Sequence, residues 1–170
     1  MRGQLVMTCL ALAGSVTVTG QVAVAKSKRS TPEERARVVT DTRQVEANIL
    51  GEREGAIRQR LLKWWVEVPD VSLKWCAPLL LEFEPADKAF GSALVVQGTL
   101  SGGAYVLEHP EASLKERDVW IAGVQGALRA YQSVLSRDPS RTDPFLEKLV
   151  ALDKAGRIGE YVDSHAADCK

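Results

Sequence analysis

Histidine and cysteine carry much of the acid–base, nucleophilic and metal chemistry of proteins, and this 170-residue chain has two histidines and three cysteines. His109 follows Glu108 and precedes Pro110. A carboxylate beside an imidazole suits a general base or a metal ligand, so an envelope-associated hydrolase using Glu108 and His109 is the enzymatic alternative. No second ligand stands at metal-binding spacing from His109, and an exposed loop histidine is the simpler reading. His165 lies near Asp163, Asp168 and Cys169, a set that would hold a metal only with a free thiol. Cys76 is flanked by Trp75, Ala77 and Pro78, with no neighbouring cation to activate it as a nucleophile. Ser101-Gly102-Gly103 lacks the surroundings of a nucleophile elbow, and Gly98 to Gly103 is not followed by the Lys-Ser or Lys-Thr of a phosphate loop. Glu82 and Glu84, two residues apart, fall on different sides of a helix. The sequence therefore assigns no catalytic residue, no metal and no cofactor.

Binding chemistry is better represented. Four tryptophans stand at positions 64, 65, 75 and 120. Adjacent Trp64 and Trp65 cannot both face one narrow core from a single helix. One of them is a candidate for stacking on a sugar, a peptide or a partner side chain; the alternative is that both line a core groove. Trp64, Trp65 and His109 are thus the candidate binding residues.

These residues belong to a chain that reads as exported. Arg2 precedes the apolar run Leu5 to Ala13, and Ala23-Val24-Ala25 supplies small residues before Lys26. That pattern is a secretory signal peptide over residues 1–25, and its apolar run is too short to span a bilayer as a helix. A secreted or periplasmic address follows. Cys9 falls within the leader, leaving Cys76 and Cys169, and two cysteines in an oxidising compartment pair. The expected disulfide is Cys76–Cys169. A single asparagine, Asn48, and more arginine than lysine suggest a GC-rich bacterial genome.

Charge narrows the partners. The whole chain balances 22 basic against 22 acidic side chains. Such a balance argues against nucleic acid, which needs surplus positive charge to displace counterions, and against a polybasic membrane anchor. A protein or another cell-envelope component remains as partner.

The elements that hold these residues read as helices. After a disordered start at 26–30, Thr31-Pro32-Glu33-Glu34 is a capping box with proline at the first helical position. Val38, Thr42, Val45, Ile49, Ala56, Ile57, Leu61 and Trp64 or Trp65 then follow at helical spacing on one stripe. An unbroken helix over 33–65 would be about 50 Å long, so either Gly51 or Gly55 bends it or its first half projects. Glu33/Arg37 and Glu54/Arg58 read as solvated i,i+4 pairs. Pro78 begins a short helix or a buried strand. Ala89 to Leu107 carries no charge and reads as a buried helix. A hairpin at 92–107 and a membrane-integrated subunit through 89–107 are the alternatives. Ser113 to Glu116 is a second capping box, and Asp143-Pro144 starts a further helix that Gly156 stops. No internal repeat is present.

The expected fold is all-α: a single bundle-like domain over 31–170 of four to six helices, with α+β as the alternative. The expected function is a secreted or periplasmic, non-catalytic protein that binds or scaffolds, without stable membrane insertion.

Overall fold

The computed structural model describes residues 29–83, 88–110 and 114–169. The expected leader, residues 26–28, Glu84 and Ser113 lie outside these. The described residues form helices and no strand. In chain order these are α1 (Pro32–Ala47), α2 (Glu52–Glu67), α3 (Pro78–Leu81), α4 (Lys88–Glu108), α5 (Glu116–Leu135), α6 (Pro144–Lys154) and α7 (Ile158–His165). The all-α expectation holds. The seven helices exceed the expected four to six because α3 is a single turn and α7 only eight residues long.

The stripe expected over 33–65 divides at Asn48–Gly51. The Gly51 N–H donates to the Asn48 oxygen at 3.0 Å, and Gly51 becomes the N-cap of α2. Glu54 ties the corner by accepting from Asn48 Nδ2 (3.0 Å) and Gln44 Nε2 (3.1 Å). This corrects the reading of Glu54 and Arg58 as a solvated pair. Glu54 is buried at the turn, and Arg58 donates to the Ile49 carbonyl instead. The gap also rotates the second half of the stripe, so Ile57 and Leu61 are buried and Ala56 is exposed.

Several ends form as their residues dictate. Thr31 and Glu34 make a reciprocal capping box on α1. The Asp143 carboxylate accepts from the N–H groups of Phe145 and Leu146 at the start of α6. Gly156 adopts φ +69° after α6, where the Arg157 N–H donates to the Leu152 oxygen and its own N–H to that of Asp153. This is a Schellman end, whose left-handed position glycine fills without steric cost. The second expected capping box does not open α5: its N-cap is Lys115, with no side-chain cap. Ser30, expected in a disordered start, donates through its N–H and Oγ to Asp70, which also pairs with Arg35 at 2.9 Å. The Ser30 N–H is the first cause of an Asp70 pKa below the ordinary carboxylate value.

The centre of the molecule is the pairing of α4 with α5. Glycines let these helices approach closely. A Cβ on Gly123 would stand 2.8 Å from the Gly98 carbonyl oxygen and would also strike the Trp75 ring. A Cβ on Gly102 would stand 2.8 Å from the same ring. Trp75 is therefore a wedge seated in a notch that two glycines open. Gly123→Ala costs about 1–3 kcal/mol by overpacking this crossing. Gly55, inside α2 with nothing within 4 Å of a Cβ, is the matched control. Gly55→Ala stabilises by about 0.5–1 kcal/mol. Urea unfolding of both variants reads the opposite signs.

The uncharged run Ala89 to Leu107 is the interior of α4. Its segment Phe90–Glu108 has the length and composition to cross a membrane, with a mean hydropathy of 1.2. In the fold, 61% of that segment is buried by protein. Leu94, Leu100 and Ala104 meet the core formed with Val124, Leu128 and Tyr131 of α5.

Candidate functional site

Two residues interrupt the apolar character of α4 on its inner side. Gln97 and Ser101 are one turn apart and both fully buried. Buried polar groups must find partners. Ser101 Oγ donates to Glu46 Oε1 at 2.7 Å, and Gln97 Nε2 donates to Ser101 Oγ at 3.0 Å and weakly to the Thr42 carbonyl. Gln97 Oε1 accepts no hydrogen bond from a described residue. Gly126 makes the room: a Cβ there would meet the Ser101 side chain and stand 2.9 Å from Glu46 Oε1.

Glu46 of α1 is 5% exposed and is the hub. Arg129 of α5 donates to both its oxygens, at 2.9 and 3.0 Å. Arg43, one turn earlier on α1, donates at 2.6 Å and reaches Glu108 with its other terminal nitrogen at 2.8 Å. Burial alone would lower the Arg43 pKa, but the Glu46 and Glu108 charges outweigh it and hold the guanidinium above its ordinary value. The planar fork of each arginine matches a carboxylate, which fixes both guanidiniums in direction.

Above this hub lies an open cleft of about 310 Å³ between α1, α4 and α5. Arg43, Tyr105, Asp118, Ile121, Gln125 and Arg129 line it. Gln125 is oriented by donating to Asp153 at 2.7 Å. The cleft thus carries fixed donors at one end and a carboxylate at the other, with an apolar wall between.

The residues singled out from the sequence lie elsewhere or are engaged. Glu108 is bound by Arg43 at the hub's edge. His109 is exposed; its Nδ1 bonds to the Tyr105 carbonyl at 2.8 Å, and its ring stacks on Tyr105 at 4.1 Å. His165 bonds to the Tyr161 carbonyl and lies 3.6 Å from Glu82. Among the described residues, no three His, Cys, Asp or Glu side chains gather as a metal site. Cys76 and Cys169 are joined as a disulfide that links two segments 93 residues apart.

Trp64 and Trp65 meet edge to face, 5.1 Å apart and at 89°. Trp65 lies against Gly103 of α4, where a Cβ would stand 2.8 Å from its Cε2. Its buried Nε1 has no hydrogen-bond partner among the described residues. Trp64 instead lines a slot of about 90 Å³ between α1 and α2, with Arg37, Val38, Asp41, Arg60 and Leu61. Both rings are thus partly buried against the core, Trp65 on α4 and Trp64 at the slot.

Sequence reading missed Glu46, Arg43 and Arg129. The available signal was the pair Gln97 and Ser101, the i,i+4 polar residues within an uncharged helix that demand buried partners. No family model matches this chain, nor does any curated protein or solved structure.

Proposed function

We propose that this protein is exported and non-catalytic, and that it binds or scaffolds a partner protein or another envelope component through α2. The observation that carries this reading is the outer face of that helix. Val66 is 87% exposed and Leu62, one turn before it, 38%. They lie on the side of α2 next to Trp65, roughly opposite Trp64 and the slot. Exposed apolar side chains one turn apart beside an aromatic are the composition of an interaction patch, and on the other side of the helix the 90 Å³ slot at Trp64 accepts a single side chain. The disulfide accords with an oxidising, extracytoplasmic address. The engaged states of Glu108 and His109 favour a structural part for both over acid–base chemistry.

The test combines two readouts. Soluble peptidoglycan fragments are titrated while tryptophan emission is followed, and a photo-crosslinking residue at position 66 reports protein partners in the native host. The reading expects either a saturable change in emission that Trp64→Ala abolishes, or a discrete crosslinked species from position 66. Unchanged emission together with no crosslinked species contradicts it. Trp64→Ala lowers affinity by about tenfold or more if the ring is an anchor, the ordinary loss for a buried aromatic contact.

A further inference from the structure

We infer that the cleft between α1, α4 and α5 binds a short zwitterionic peptide, its carboxylate held by Arg43 and Arg129 and its amino group by Asp118. This site is separate from the α1–α2 slot, so the two readings fail independently.

Charge excludes the simplest alternative. Two guanidiniums in a cleft suggest an anion site, yet Glu46, Glu108 and Asp118 surround them with three carboxylates. A plain anion would enter a cleft without surplus positive charge. A ligand with both signs, placed in the right order, meets complementary groups at each end. The guanidiniums also have capacity left. Each has five N–H donors in a fixed fork. Arg129 spends its bonds on Glu46, and Arg43 divides its own between Glu46 and Glu108. The buried Glu46 holds both forks in place before a ligand arrives, so little side-chain entropy is lost on binding.

The other end is also open. Asp118 lines the cleft; the neighbouring Arg117 acts on its carboxylate through charge, with no hydrogen bond to it among the described residues. It lies eleven positions before Arg129 on α5, about 16 Å along the helix axis. Both side chains lean toward the helix N-terminus, the longer arginine further, so their charged ends stand closer together than their backbones do. An extended chain of three or four residues spans about 10–14 Å, within that separation. Ile121 and Ala122 form the wall between the two ends. The Gln125 amide, oriented by Asp153, stands where a peptide unit passes. A volume of 310 Å³ is at the small-ligand end of binding sites, which suits a tripeptide of small residues.

Calorimetric titration of the purified, disulfide-bonded protein with tri-L-alanine tests this. The expected result is saturable one-site binding that weakens about tenfold or more when the peptide is C-terminally amidated, and likewise when it is N-acetylated. Asp118→Asn, which breaks no hydrogen bond among the described residues and removes a charge interaction with Arg117, lowers affinity for the free peptide but not for the N-acetyl peptide. Arg129→Lys keeps the charge and loses the fork, and it lowers affinity for both. No saturable binding at millimolar peptide overturns the inference. So does equal binding of the free, amidated and acetylated peptides, or an Asp118→Asn protein that binds the free peptide as well as the parent does.

Discussion

Removing the Cys76–Cys169 bond lowers the unfolding free energy by about 4–5 kcal/mol, the chain-entropy value for a closed loop of roughly a hundred residues. The bond links segments 93 residues apart, and the loop between them contains α3, α4, α5, α6 and α7. Freed, the unfolded chain gains nearly the full entropy of a long linear segment. The native state loses less, because the C-terminal end has other attachments. Tyr161 donates its hydroxyl to the Leu79 carbonyl at 2.8 Å, and Ile158, Tyr161 and Val162 are buried against the core. Folding of the reduced protein is therefore expected to persist with a lower midpoint. The double variant Cys76→Ser/Cys169→Ser avoids thiol exchange and is compared with the parent by urea unfolding. A difference below about 1 kcal/mol would mean that the bond does not constrain the unfolded chain as argued.

Glu46→Ala is expected to cost about 3 kcal/mol, the larger of the two effects that a single substitution at the hub produces. The carboxylate is buried and accepts from Arg43, Arg129 and Ser101. Its removal leaves the buried Ser101 hydroxyl without its acceptor and opens a void among α1, α4 and α5. Breaking a fully buried ion pair costs 3–5 kcal/mol. The lower end applies because the Arg43 and Arg129 side chains are 36% and 46% exposed and regain water when released. Glu46→Gln retains the shape and one acceptor, and about 1–2 kcal/mol is expected. The ordering Ala over Gln, read by thermal or urea unfolding, separates a structural hub from a surface pair. Equal and negligible losses, each within about 0.5 kcal/mol, would place Glu46 among ordinary surface charges.

The helix ends were legible because capping is local chemistry. Thr31 with Glu34, Asp143 with Pro144, and Gly156 each act on backbone groups within a few positions, so adjacent residues suffice to find them. The disulfide was legible because the leader pattern and the cysteine count leave one pairing. The run Ala89 to Leu107 read as a buried helix because its four glycines and few polar residues suit close helix packing, and α4 confirms it. The polar hub was not legible. Glu46 sits next to Val45 on an amphipathic helix, where a charge ordinarily faces water. Its burial comes from Ser101, 55 positions on, and Arg129, 83 positions on. Glu54 misled for a related reason: its spacing from Arg58 fits a surface pair, but the corner at Asn48–Gly51 folds it inward. Trp64 and Trp65 both pack partly against the core, and only the fold tells which ring lies on α4 and which lines the slot.

The proposed export into an oxidising compartment underlies both the envelope partner and the expectation that Cys76 and Cys169 pair. Intact mass spectrometry of the protein recovered from its native cells, without reductant, tests it directly. The expected species begins at Lys26 and is two hydrogens lighter than the same chain after reduction. Full-length protein beginning at Met1, with Cys76 and Cys169 both free, would contradict the account.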